Sequence, residues 1–154
     1  MKIIAAVISI AIAQSAGIIG SVFTASSVRT WYAGLMKPAW NPPSWIFGPV
    51  WITLYTLMGI AAYIVWENRD TPGAKVALGV YAVHLALNTL WSMIFFGLRD
   101  PGLAFFEIVF LLGFILATTI LFWKINTRAG VLFLPYIAWV SFAVFLNYTL
   151  WKLN

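Results

Sequence analysis

The chain has no cysteine, a single histidine and only four acidic residues in 154. Without cysteine it has no disulfides, no thiolate metal ligands and no Cys nucleophile, and it gives no thiol signature of a redox compartment. Charged residues make up 8% of the chain and hydrophobic ones 63%, where a soluble domain carries about 25% charged residues. So few charges do not cover a water-soluble globule, which sets aside soluble enzymes and nucleic-acid-binding modules. The net charge of +5 does not restore nucleic acid as a partner. That reading needs basic residues gathered on one face, and here they are scattered singly, as charges flanking membrane spans are. A Ser/His/Asp set with plausible spacing, a metal-ligand cluster and a Gly-rich phosphate loop are all missing too. No metal site and no obligatory cofactor are expected.

What is present is apolar and long. Five stretches each have about the 20 residues needed to cross a roughly 30 Å hydrocarbon core as a helix. They run from Ile3 to Thr24, Trp45 to Trp66, Lys75 to Gly97, Gly102 to Lys124 and Gly130 to Lys152. Charged and turn-forming residues separate the last four: Glu67 to Gly73, Arg99-Asp100-Pro101 and Asn126-Thr127-Arg128. Segments of about ten alternating residues, which a membrane barrel would show, do not occur. The expected fold is all-α, an integral multi-pass membrane protein built as a five-helix bundle, one domain over residues 1–154. Lys2 and Ala11-Ile12-Ala13 imitate a signal peptide, but the apolar run continues to Phe23, so an uncleaved first helix is expected. Orientation is not legible. Lys2, Arg69, Lys75, Lys124 and Arg128 fall on one side and Arg29, Lys37, Arg99 and Lys152 on the other, a near-tie for the positive-inside rule.

Aromatic residues are 18% of the chain, nine of them Trp. Trp66, Trp123 and Trp151 stand beside charges at span ends, as a headgroup-level aromatic belt requires. Trp51, Trp91 and Trp139 lie well inside spans, where an indole N–H needs a partner that lipid does not supply. They are expected to point into the bundle. The first connection, about residues 25 to 44, is the longest, and it is rich in Trp and Pro. Long connections in compact proteins tend to be lids or binding loops, and proline limits the entropy that such a loop loses on ordering. It reads as a lid, with Trp40 and Tyr32 held over the end of the bundle.

Polar groups inside spans are costly and therefore informative. His84 and Asn88 share a helix face, with Trp91 and Phe95 following; Phe47, Trp51 and Tyr55 form a second stripe, and Trp139, Ala143 and Asn147 a third. Three such stripes suit an aromatic pocket with a few hydrogen-bonding groups, although aromatic stripes also simply pack cores. His84 is read as an interhelical hydrogen-bonding group, with metal or haem ligation the weaker alternative for a lone histidine. Glu107, the one mid-span acid, is either a proton-coupling group or a structural one. Ala5, Ser9, Ala13, Gly17 and Ser21 form a small-residue stripe suited to close helix contact, within the bundle or in a dimer.

Trp31-Tyr32, Lys37-Pro38 and Trp40-Asn41-Pro42-Pro43, followed by Phe47 and Trp51, resemble the signature of the TspO/MBR family. That family comprises the tryptophan-rich sensory proteins and the mitochondrial translocator, also called the peripheral-type benzodiazepine receptor. Asn88-Thr89-Leu90-Trp91, Phe95-Phe96-Gly97, Pro135-Tyr136, Trp139 and Leu146-Asn147-Tyr148 extend the likeness over essentially the whole chain. The resemblance implies a membrane bundle, usually a homodimer, with a pocket beneath the first loop. It also implies ligands such as porphyrins (protoporphyrin IX), haem, sterols, isoquinoline carboxamides and benzodiazepines. By position, the pocket residues would be Tyr32, Pro42, Phe47, Trp51, Asn88, Trp91, Trp139 and Ala143. Leu146, Tyr148 and Lys152 fit the loose cholesterol-recognition pattern, though snorkelling near a helix end accounts for the last two equally well. His84 departs from the family, whose bacterial members more often carry Gln there. Three functions follow as alternatives: a receptor for flat hydrophobic ligands, a light-dependent porphyrin-degrading enzyme using Trp51 and Trp139, and a porphyrin or sterol transporter. The short N-terminus points to a bacterial member in the cell envelope.

Overall fold

A computed structural model of the chain describes residues 2–154. Among these it is helical, without strands: α1 (Lys2–Ser27), α2 (Ser44–Glu67), α3 (Ala74–Ser92), α4 (Pro101–Ile125), α5 (Thr127–Val131) and α6 (Leu134–Leu153). A 3₁₀ turn at Tyr32–Gly34 lies in the first connection, and α3 continues into a π-helical turn at Met93–Gly97. The five expected spans are present, long and apolar enough to cross a bilayer. The protein is an integral, multi-pass membrane protein.

Local chemistry sets the helix ends. Asp100 accepts from the Leu103 N–H at 2.9 Å, and Pro101 takes the first helical position of α4, where a missing N–H costs nothing. Asn126 caps α5 by accepting from the Arg128 N–H at 3.0 Å. The fifth span, expected from Gly130 to Lys152, is present and is built from two helices, α5 and α6. Pro135 is the reason. It has no N–H to give the Val131 carbonyl, and its ring crowds that carbonyl, so the chain restarts at α6 with Pro135 in its first turn.

α1 lies along α2 at close range. Ser9 Oγ donates to the Gly59 carbonyl at 2.7 Å. A Cβ on Gly59 would fall 2.5 Å from Ile10 Cα, and one on Gly17 would meet the Tyr55 ring. The small-residue stripe of α1 therefore serves the bundle. Gln14 Nε2 adds bonds to the Ile52 carbonyl (2.9 Å) and Thr56 Oγ1 (3.0 Å). Across the bundle, Thr89 Oγ1 donates to the Ala16 carbonyl and Ser27 Oγ to the Phe96 carbonyl, fixing α3 to α1. Gly102 admits the Trp151 indole, locking α4 to α6.

Of the three span-end tryptophans, Trp66 (43% exposed) and Trp123 (41%) face outward, and the Arg69 guanidinium sits 4.3 Å from the Trp66 ring centre. Trp151 is half-buried, stacked on Phe105 as well as lying beneath Lys152.

Candidate functional site

The first connection is fastened across one end of the bundle. Tyr32 is buried against Phe95 and Phe96, and Trp31 packs edge-on against Phe95 with ring centres 5.5 Å apart. Lys37 lies over the Tyr32 ring while donating to the Ala33 and Leu35 carbonyls. Asn154, at the end of α6, exchanges two bonds with the Met36 backbone (2.9 and 3.0 Å). Burial holds the Tyr32 phenol above the ordinary tyrosine range, opposed by its bond to Asn41.

Beneath this cap lies a cavity of about 530 Å³, within the range of ligand pockets. α2 contributes Phe47, Trp51 and Tyr55, α3 contributes Asn88, Trp91 and Phe95, and α6 contributes Trp139, Ala143, Leu146 and Asn147. The three stripes legible in the sequence thus converge on one space. Tyr32 closes its loop end, and Ile108 and Leu111 of α4 complete the far wall.

Most polar groups around this space are consumed by one another. Two chains of bonds do this, and the first has a determined direction. His84 Nδ1 lies 3.0 Å from the Tyr81 carbonyl, an acceptor only, so Nδ1 carries the proton. Nε2 of the neutral ring is then an acceptor, and the Tyr136 hydroxyl, 3.0 Å away, donates to it. Tyr136 in turn accepts from Asn88 Nδ2 at 2.6 Å, and Asn88 Oδ1 accepts from the Tyr55 hydroxyl. In the second chain, Trp91 Nε1 donates to Asn147 Oδ1 (3.0 Å) and Asn147 Nδ2 to the Pro101 carbonyl (2.8 Å). Among the described residues the Ser44 and Ser92 hydroxyls have no such partner, and the indoles of Trp51 and Trp139 are the aromatic exceptions. Both indoles line the cavity, and neither N–H is bonded to, or sealed by, protein among the described residues.

Several residues singled out by sequence stand elsewhere. Trp40, expected over the pocket, is 48% exposed and packs on Phe142 on the outer side of α6. The loop is tied to Asn154 at Met36 and packs on Phe142 at Trp40, so this stretch lies along α6 and the ring rests on that helix instead of over the cavity. Pro42 and His84 do not line the cavity. His84 is fully buried behind Asn88, with both ring nitrogens engaged. The sterol pattern splits across α6: Leu146 faces the cavity, whereas Tyr148 is exposed beneath Lys152. Glu107 is buried in α4 with neither oxygen hydrogen-bonded among the described residues, and it stands outside the lining. Sequence reasoning missed the α1 wall, Gln14, Gly17, Ser21 and Thr24. Their three- and four-residue spacing was visible, but small residues read only as packing. It also missed Tyr136, which sits mid-network.

Residues 9–152, which include every residue lining the cavity, match the profile of the TspO/MBR family. The chain belongs to that family. It is 44% identical to the human translocator protein over 138 residues, 88% of this chain and 82% of that one. It is 42% identical to the tryptophan-rich protein TspO of Archaeoglobus fulgidus over 154 residues, 100% of this chain and 99% of that one. With the tryptophan-rich sensory protein of Cereibacter sphaeroides it shares 42% identity over 124 residues, 80% and 77% of the two chains. As a TspO/MBR protein it is of the translocator and sensor type.

Proposed function

We propose that the protein is a receptor for flat, largely apolar molecules that carry a hydrogen-bond acceptor, tetrapyrroles first among them and sterol-like or carboxamide ligands in the same space. A bacterial cell-envelope membrane is part of this proposal. One observation carries the reading: a 530 Å³ aromatic cavity in which the Trp51 and Trp139 N–H groups, like the Ser44 and Ser92 hydroxyls, have no protein partner among the described residues, while Tyr55, Asn88, Trp91 and Asn147 are engaged with one another or with the bundle. Aromatic walls favour a planar apolar body, and two donors freed of protein partners favour an acceptor on it.

The same two indoles support a second reading. An indole against a photoexcited macrocycle is a ready electron donor, which suits light-dependent porphyrin breakdown. Transport is less well supported, since Glu107 stands off the cavity and the chain has no internal repeat. Purified protein mixed with protoporphyrin IX separates the first two. Saturable quenching of tryptophan fluorescence with an unchanged porphyrin spectrum in light and dark supports the receptor. Turnover of the porphyrin in light alone supports the enzyme, and absence of saturable binding defeats both.

A further inference from the structure

Every exposed residue of the cavity lining lies on α1 or α2. Ile18 (64%) and Ile52 (61%) are exposed, as are Ser21, Ser44 and Gly48. From α3, α4 and α6 the lining is buried or half-buried throughout. The two helices touch along their other halves, where Gly59 meets Ile10 and Gln14 bonds to Ile52 and Thr56. Beyond Gln14, no side-chain hydrogen bond joins α1 to α2 among the described residues. A Cβ on Gly48 would have no neighbour within 4 Å. Past the Gly17–Tyr55 contact the helices therefore leave a cleft that opens the cavity sideways. At the loop end, by contrast, Tyr32 is buried on Phe95 and Phe96 and Asn154 ties the loop down. The flank around the cleft carries the exposed apolar side chains Ile19, Val22 and Trp45 within two spans, so it faces hydrocarbon.

We propose that ligand reaches and leaves the cavity laterally, from the hydrocarbon layer, through the cleft between Ile18–Ser21 of α1 and Ser44–Ile52 of α2. This rests on the receptor reading and narrows its ligand class to molecules dissolved in the membrane. The concentration that the site senses is then the one in lipid. The loop is a fixed cap, not the passage.

The test uses the full chain in lipid nanodiscs, with protoporphyrin IX as probe and stopped-flow tryptophan quenching as readout. In Gly48→Phe the ring enters open space at the cleft mouth. Association and dissociation should both slow, by about tenfold, since a narrowed passage hinders both directions. Because the chain has no cysteine, Ser21→Cys with Gly48→Cys allows the cleft to be bridged by a reducible bifunctional thiol reagent. Both rates should fall on bridging and recover on reduction, in the same folded molecules. Asn154→Ala, which frees the loop, should alter neither rate. The proposal is overturned if bridging leaves both rates unchanged, if Gly48→Phe speeds dissociation as a blocked site would, or if Asn154→Ala accelerates both rates. Wild-type protein without saturable binding would instead defeat the receptor reading.

Discussion

Replacing Tyr136 by Phe removes one oxygen and strands two partners. Asn88 Nδ2 loses an acceptor at 2.6 Å and His84 Nε2 loses a donor at 3.0 Å. His84 is fully buried, and Asn88, which borders the cavity, turns its Nδ2 away toward the buried Tyr136. A buried group left unsatisfied costs about 1–3 kcal/mol, which puts the ceiling for two near 6. Interhelical bonds in membranes average about 0.6 kcal/mol, because the unfolded chain in lipid finds partners too, and this puts the floor near 1. Tyr136→Phe should therefore destabilise by about 3 kcal/mol, between those bounds. Tyr55→Phe breaks a single bond, and its stranded acceptor, Asn88 Oδ1, belongs to a residue lining the cavity, where water substitutes. Its cost should be about 1 kcal/mol or less. The direction of the chain adds a sharper test. His84→Gln keeps one donor and one acceptor and should hold the Tyr136 hydroxyl, whereas His84→Leu leaves that hydroxyl without an acceptor. The assay is reversible unfolding in mixed detergent micelles, extrapolated to zero denaturing detergent as for soluble denaturants. The reasoning is refuted if Tyr136→Phe costs no more than Tyr55→Phe, or if His84→Leu is as stable as His84→Gln.

Trp51→Phe and Trp139→Phe should fold normally yet each weaken protoporphyrin IX binding by about 3–10-fold, the value of one hydrogen bond to the ligand, as read by titration calorimetry. Etioporphyrin, which has the same macrocycle without carboxylates, should bind wild type and the Trp51→Phe/Trp139→Phe double variant equally well; a large difference would remove the indole donors from the account. Trp66→Phe and Trp123→Phe should leave porphyrin affinity within about twofold of wild type, since both rings face outward and neither lines the cavity. Gly59→Ala should lower stability by about 1–3 kcal/mol through overpacking against the Ile10 backbone. In contrast Gly48→Ala, into open space, should melt close to wild type.

The spans were legible because hydrocarbon imposes length and composition on a helix directly, and the stripes through Trp51, Asn88 and Trp139 because helical spacing puts them on single faces. The turn at Leu132–Phe133 was not read, although Pro135 signalled it, since the apolar run continues across it unbroken. Trp40 was misplaced for a different reason. Composition marks a loop as rigid and aromatic but does not say which helix face its rings settle on. The α1 wall escaped because glycine and serine serve helix contact and cavity lining alike, and only the opening between α1 and α2 beyond the Gly17–Tyr55 contact tells the two apart. Tyr136 escaped because its hydroxyl acquires meaning only through His84 and Asn88, 52 and 48 residues away in sequence.

The same economy that stabilises the bundle shapes what it binds. In lipid every buried polar group must find a partner within the protein, and here Asn88, Tyr136, His84, Trp91 and Asn147 find one another. A group so engaged is unavailable to a ligand without a loss elsewhere, so the network works as a rigid backing to the aromatic wall. Trp51 and Trp139 are held differently, by ring contacts: Trp51 with Tyr55 at 5.5 Å and Trp139 with Phe47 at 5.9 Å. Those contacts fix the rings and leave the N–H groups free, so donors are positioned before any ligand arrives and little ordering cost falls on binding. Shape selection comes from the walls and polar selection from the few unbonded groups, the two indole N–H donors foremost, with the Ser44 and Ser92 hydroxyls beside them. Ligands of quite different chemistry can then share the cavity, provided each is flat, apolar and carries an acceptor within reach of an indole N–H.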